Sequence, residues 1–118
     1  MQLNYVALKR ITKAIASWNR SDLEGLLSSC RDDAVLSSCS GSEGREWVQG
    51  LTEIKRHLQR FREIHPNLKV VDCHSGSQFF TAILSDEARF VTFHIEPDAR
   101  GAIKRIIVCS SIWSPRKS

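Results

Sequence analysis

Four histidines are the side chains of this sequence best suited to move a proton near neutral pH, because histidine titrates there. They are His57, His65, His74 and His94, and none of them stands at metal-ligand spacing from another histidine or a carboxylate. We expect His74 and His94 to lie on neighbouring strands, which makes them the best acid/base candidates. The sequence does not assign any residue as catalytic, and we expect no metal or cofactor. Whether the chain catalyses a reaction stays open.

Asp32 and Asp33 resemble a paired-carboxylate site. Adjacent residues on an extended segment point in opposite directions, so they cannot share a proton or a substrate atom. We therefore predict a structural role, in which they accept hydrogen bonds from backbone N–H groups at a helix-to-strand turn.

The four cysteines, Cys30, Cys39, Cys73 and Cys109, form no C-x-x-C pair and have no histidine at zinc-finger spacing. Their spacing favours small buried residues over metal ligands.

The composition describes one globular domain, residues 1–118, which is long enough to bury its own core. The net charge of +4 is spread along the chain rather than concentrated beside aromatic residues, so we expect no nucleic-acid partner. No run approaches 18 apolar residues, and Met1 to Ala7 does not resemble a secretory signal. These features predict no membrane association and a cytoplasmic location.

The first half of the sequence has the periodicity of helices. Apolar residues recur three and four positions apart from Leu3 to Trp18, which predicts one amphipathic helix. Ser21 and Glu24 stand at capping-box spacing and predict a short second helix that begins at Ser21. A third helix is predicted over residues 51–64, where it meets His65 and Pro66. Strands are predicted over residues 34–39 and 45–49, joined by the turn at residues 40–44.

The second half changes to strand periodicity. Residues 68–74, 79–84, 88–96 and 103–113 are rich in β-branched and aromatic residues and are separated by short turns, which predicts an antiparallel meander. Three helices followed by a bent sheet can close only if the sheet wraps around the long helices. The fold class predicted from the elements is therefore α+β.

The order of these motifs is similar to the opening of a known superfamily. Residues 13–25 read K-A-I-A-S-W-N-R-S-D-L-E-G and run into D-D-A at residues 32–34, and Gly50 is followed by Ile54. This pattern resembles the SnoaL-like and nuclear transport factor two-like proteins, whose fold is shared by the ketosteroid isomerases. The resemblance implies three N-terminal helices packed in the concave face of a strongly curved, mostly antiparallel sheet, a cystatin-like cone with a central pocket. The family usually has glycine where this chain has Ser21.

The resemblance also shows where isomerase chemistry is missing. Ketosteroid isomerases carry a tyrosine where this chain has Ala14, a catalytic aspartate where it has Ser38, and a protonated aspartic acid where it has Phe93. Proton transfer between carbons needs a base and donors aimed at the enolate oxygen. Without these three groups, we expect no steroid isomerisation.

The same alignment places an almost entirely apolar set of side chains inside the cone. The predicted pocket residues are Ala14, Trp18, Ser38, Leu58, Phe61, Phe93, Ile106, Val108 and Ser110. Such a set is either a pocket for a hydrophobic small molecule, with a weak or unknown cyclase, isomerase or dehydratase activity, or a filled core. A filled core would make the chain a non-catalytic protein–protein interaction module.

The opposite face of the sheet is predicted to carry Phe90, His94, Ile107, Cys109 and Trp113. A contiguous apolar patch of this kind is usually covered. The resemblance implies pairing through this face, so we expect a homodimer.

Overall fold

The computed structural model describes residues 5–40, 45–87 and 89–111. Helices and strands follow one another in the order and classes that the sequence predicts, and the fold class is α+β. The elements within the described residues are α1 (Tyr5–Asn19), α2 (Leu23–Leu27), β1 (Cys30–Ser40), β2 (Arg45–Gln49), α3 (Leu51–Ile64), β3 (Lys69–Ser75), β4 (Phe80–Ser85), β5 (Phe90–Pro97) and β6 (Ile103–Ser111). The predicted start of the first helix, the turn at 41–44 and the predicted strand end at 112–113 lie outside these ranges.

The six strands form one mixed sheet in the order β2-β1-β6-β5-β4-β3. The last four strands in sequence pair antiparallel with one another, so the predicted meander is confirmed. β1 pairs parallel with β6, with Leu36 opposite Ile106 and Ser38 opposite Val108. Parallel strands cannot be joined by a tight turn and need a long connection. Here the segment between β1 and β6 includes α3 and the earlier strands of the meander.

α1 buries the stripe that its apolar spacing predicts, with Ala7, Ile11 and Ala14 among its buried residues. Gly101, in the turn before β6, makes this close packing possible. Its backbone has φ of +90°, and a Cβ atom there would lie 3.1 Å from the Cα of Ala7. Only glycine combines this conformation with such a close approach.

α2 begins differently from the prediction. Its N-cap is Asp22, whose side chain accepts a hydrogen bond from the Gly25 backbone N–H, so the predicted capping role of Ser21 is wrong. Ser21 instead adopts a left-handed backbone, with φ of +61°. This conformation favours glycine, which is the residue that the resemblance implies at this position.

α3 packs against β1, β2 and α2, and its residues Ile54 and Leu58 are fully buried. It ends where the sequence predicts, because Pro66 follows its C-cap residue, His65. The C-terminal ends of α1 and α3 lie at the same end of the sheet, since Arg62 donates to the Trp18 carbonyl. That shared end is where the candidate site lies.

Candidate functional site

The predicted pocket residues divide into a buried set and a partly exposed set. Phe61 and Ser38 are half-buried, and the backbone of Ser110 lies on β6 while its side chain is outside the described residues. The fully buried members belong to one hydrophobic core: Ala14, Trp18, Leu58, Phe93, Ile106 and Val108. The structure therefore brings the buried set together. The half-buried residues Phe61 and Ser38 lie nearer to solvent.

Three aromatic rings meet where Phe61 packs against this core, and we call Trp18, Phe61 and Phe93 the aromatic floor. The Trp18 and Phe93 ring centroids are 5.3 Å apart and nearly perpendicular, an edge-to-face arrangement. Phe61 lies 6.1 Å from Phe93 and 6.3 Å from Trp18. Such pairs add about 0.5–1.5 kcal/mol to the stabilisation that burial provides.

Trp18 is fixed by polar contacts at its edge and its face. Its indole N–H donates to the Leu68 carbonyl at 3.1 Å, which satisfies the buried nitrogen. The guanidinium of Arg62 lies over the indole ring, 4.1 Å from its centroid, and donates to the Trp18 carbonyl at 2.7 Å. Burial lowers the pKa of Arg62 from its usual value, but arginine remains charged at any physiological pH.

The inward face of the two central strands is apolar. Val91, Phe93 and Ile95 on β5 and Ile106 and Val108 on β6 are all buried. Ser38 lies in register with Val108, which lies in register with Phe93. None of these described inward positions is ionisable, so this surface offers no general base.

The histidine pair expected from the sequence does not form. β4 separates β3 from β5, and Thr81 is the residue in register with both His74 and His94. The expectation that these two histidines lie on neighbouring strands is wrong. His94 instead contacts the Thr81 hydroxyl through Nδ1 at 3.1 Å, and exposed His74 lies 3.4 Å from Asp72. The predicted meander already places residues 79–84 between the strands of His74 and His94, so this expectation was inconsistent with the predicted topology.

A different histidine stands beside the aromatic floor. His65 lies with its ring centroid 4.9 Å from that of Phe61, and its Nδ1 is 3.1 Å from Nη1 of Arg89. Burial and the positive charge of Arg89 lower the pKa of His65, while Asp86 opposes this shift. Sequence reasoning missed this pair, because a helix end and a strand start 24 residues apart carry no shared signal.

The outward sheet face carries a second polar cluster that sequence reasoning missed. The buried carboxylate of Glu96 accepts hydrogen bonds from Arg105 and from Gln78, and Lys104 lies 3.6 Å away. Burial raises the pKa of Glu96, but these hydrogen bonds and charges outweigh it and hold the pKa below its usual value. Counting back from the turn at residues 98–102 could have placed Glu96 opposite Arg105, since the two residues are paired in register.

Beside this cluster is a surface pocket of about 370 Å³ lined by Val35, Trp47, Glu96, Lys104 and Arg105. The Trp47 side chain is 63% exposed at the edge of the sheet. Large exposed aromatic residues are enriched where proteins contact other molecules.

Two further expectations need correction. Asp33 accepts hydrogen bonds from Nε and Nη2 of Arg31 at 2.9 Å, so its main partner is a side chain rather than the backbone of the helix-to-strand turn. Cys73 is exposed, so the expectation of burial is wrong there, whereas Cys30 is largely covered and burial raises its pKa to about 12. Among residues 5–40, 45–87 and 89–111, no group of three potential metal ligands occurs.

Comparison with solved structures identifies the fold. A SnoaL-like protein from Burkholderia thailandensis E264 superposes with a TM-score of 0.70 at 15% identity, covering 92% of this chain and 97% of that one. An NTF-2-like protein from Burkholderia xenovorans LB400 gives 0.62 at 15% identity, covering 95% and 88%. A protein from Xanthomonas campestris pv. campestris, provisionally described as a polyketide cyclase, gives 0.63 at 14% identity, covering 87% and 88%.

No known family profile and no curated protein sequence match this chain. The structural likeness shows that the chain has the cone-shaped fold of SnoaL-like and nuclear transport factor two-like proteins, as its opening pattern predicts. At these identities the likeness concerns the fold alone. Within the described residues, no helix has the length and apolarity needed to cross a membrane.

Proposed function

We propose that this chain binds an apolar small molecule at the end of the cone where α1 and α3 meet, with the aromatic floor as its contact surface. The observation that carries the proposal is the gradient across the three rings. Trp18 and Phe93 are 1% and 2% exposed, whereas Phe61, in contact with both, is half-buried. A ligand lying on Phe61 would extend the buried apolar surface without displacing the core.

The expected affinity is modest. A ligand of about 20 heavy atoms that gains roughly 0.3 kcal/mol for each atom has a dissociation constant of tens of micromolar. Ser38, half-buried on the same inward face, is a group that could orient a polar atom of the ligand. The inward positions named above hold no base, so binding without steroid isomerisation is the expected outcome.

Tryptophan fluorescence tests this proposal once Trp18 is made the sole reporter. In a Trp47→Phe, Trp113→Phe background, titration with flat neutral aromatic compounds should change Trp18 emission. Phe61→Ala should weaken binding about 2- to 10-fold, as expected for a lost aromatic pair. Phe79→Ala, a half-buried residue outside the aromatic floor, is the matched control. No response to any compound at millimolar concentration would contradict the proposal.

The second candidate function is a protein–protein interaction module, and the exposed Trp47 beside the Glu96 cluster favours it. In this reading the cone is filled, and its outward sheet face receives a partner. The first partner we propose is a second copy of the chain, because a two-fold pairing would cover the half-buried Ile107 and Cys109 and the exposed Phe90.

A further inference from the structure

The basic residues of α3 lie on two flanks of the helix, on either side of its buried stripe. On one flank, Lys55 forms an ion pair with Glu24 of α2, and Arg62 donates a hydrogen bond to the Trp18 carbonyl of α1. The cations of this flank therefore bind neighbouring helices and serve the fold.

The other flank lines a groove between α3 and the edge strand β2. The groove has a volume of about 260 Å³, and we call it the α3 groove; its lining residues are Val48, Glu53, Arg56, His57 and Arg60. Positions 53, 56, 57 and 60 are three and four residues apart, so their side chains lie beside one another on the helix surface. The groove thus combines an apolar residue of the sheet with a polar face of the helix.

Most N–H groups of the two arginines in the α3 groove have no acceptor in the described part of the chain. Nη1 of Arg56 donates to both carboxylate oxygens of Glu53, at 3.2 and 3.3 Å, and its Nε and Nη2 make no hydrogen bond to a described residue. Arg60 is exposed and makes neither a hydrogen bond nor an ion pair within residues 5–40, 45–87 and 89–111. Because both side chains are exposed, they can turn toward a ligand without breaking a buried contact.

The charges that line the α3 groove favour an anion. Arg56 and Arg60 are four residues apart, a spacing at which like charges destabilise a helix. Glu53 is the carboxylate among the described lining residues, and it is bound to Arg56 alone, so the positive charge of Arg60 is not offset there. A departure from a local stability rule is expected where a chain binds another molecule.

We propose that the α3 groove binds the phosphate group of a small organic phosphate monoester, with Arg60 and Arg56 as donors. A phosphate monoester carries a charge of about −1.5 to −2 at pH 7 and has three acceptor oxygens. Two arginines on successive turns can therefore bind different oxygens of the same group, whereas one carboxylate matches only one guanidinium fork. Val48 offers an apolar contact to the organic part of the ligand. The inference does not depend on the proposed function, because no residue of the aromatic floor lines this groove.

Phenyl phosphate and phenyl sulfate are the probes, because they share the same ring but differ in charge. In a ¹⁵N-resolved NMR titration at pH 7.5, phenyl phosphate should shift the amide signals of Val48 and of residues 53–60. Its dissociation constant should be at least about threefold lower than that of phenyl sulfate, since the second negative charge adds an exposed ion-pair contact.

Three substitutions on α3 test the assignment to residues. Arg60→Gln should weaken phenyl phosphate binding about fivefold, the upper range for one exposed ion pair. Glu53→Gln should strengthen binding, because it removes a carboxylate from the groove. Lys55→Gln is the matched control, since it removes the same charge from the other flank of the same helix, and it should leave the dissociation constant unchanged. All three side chains point away from the core, and glutamine is a good helix former, so the variants should fold.

Each result supports or overturns the proposal. Equal binding of the two probes would overturn the assignment to a phosphate dianion. Amide shifts confined to other parts of the chain, or no shift at millimolar phenyl phosphate, would overturn the site. Equal weakening by Arg60→Gln and Lys55→Gln would show that net charge alone attracts the anion, and weakening by Glu53→Gln would overturn the charge argument.

Discussion

The two faces of the sheet differ most clearly along β5. Val91, Phe93 and Ile95 point into the cone and are buried, whereas Phe90 is exposed and Thr92 and His94 are half-buried on the other face. The inward face of β5 is apolar and buried. The outward face combines apolar residues with the Glu96 cluster, and its aromatic residues Phe90 and Trp47 are left exposed by the described residues. One strand thus carries a buried apolar surface and a more exposed, mixed surface by simple alternation.

Phe93→Ala, on the inward face, should produce the largest loss of stability. Its ring is buried and contacts both Trp18 and Phe61, so its loss should lower the free energy of unfolding by about 3–5 kcal/mol if the cone is a packed core. Phe90→Ala, on the same strand but exposed, is the control and should cost less than about 1 kcal/mol.

Urea denaturation measures both variants. Equal losses of stability would mean that the inward and outward faces of β5 contribute alike, which would contradict the difference in burial between them. A Phe93→Ala loss well below about 3 kcal/mol would indicate a ring that borders open space. A full loss, together with no Trp18 fluorescence response, would favour the interaction module over ligand binding.

Ile107→Glu tests whether the outward face pairs two copies. The wild-type chain should have about twice the monomer mass of 13.4 kDa in light scattering at micromolar concentration. A buried unpaired charge at Ile107 should weaken association by on the order of 3 kcal/mol, or about 100-fold, and shift the chain to monomer.

Thr52→Glu adds the same charge at an exposed position of α3 and should leave the mass unchanged. A monomeric wild-type protein would refute the homodimer.

Glu96→Gln should produce a smaller, pH-dependent effect. The pKa of Glu96 is lowered in the folded state, so its carboxylate contributes stability above its unfolded pKa of about 4.3. That contribution is lost as the pH falls through the lower, folded-state pKa. At pH 7 the variant should lose about 1.5–3 kcal/mol, the range for hydrogen bonds to charged groups.

Urea midpoints at pH 7 and at pH 3 check this prediction, and the gap between wild type and variant should narrow in acid. The control is Glu53→Gln, an exposed residue paired with Arg56, for which an effect near zero is expected. A gap independent of pH would show that the charge of Glu96 does not stabilise the outward face.

Ser21→Gly should give the smallest effect, and with the opposite sign. Ser21 has φ of +61°, a conformation that costs a non-glycine residue about 1–2 kcal/mol. Glycine avoids this strain, but it loses more conformational entropy on folding, which offsets roughly half of the gain. A stabilisation of about 0.5 kcal/mol in urea is expected. The same change at Ser28, where φ is −66°, should be destabilising. Stabilisation by both would point to a cause other than backbone strain.

Several features of the fold could be predicted from the sequence because they depend on neighbours along the chain. The stripe of α1, the end of α3 at Pro66 and the alternation of β5 follow from local periodicity and from proline stereochemistry. The cap of α2 could not be assigned this way. Ser21 and Asp22 both have capping side chains, and the left-handed backbone at Ser21 moves the cap to Asp22.

The candidate site could be predicted only in part. The resemblance located Trp18, Leu58 and Phe93 correctly inside the buried core, although whether a ligand binds there stays a prediction. It gave no indication of His65 or Arg89, because their meeting depends on how the end of α3 is placed over the start of β5.

The sequence by itself determined which residues are inward and which outward on each element, since side-chain direction is fixed by the helical and strand periods. Only the tertiary structure decided which elements outside the meander are neighbours. The parallel pairing of β1 with β6 and the contact of His65 with Arg89 both join residues far apart in sequence. Such contacts depend on the closure of long loops and on strand order, and local periodicity is the same for every order that buries the same apolar faces.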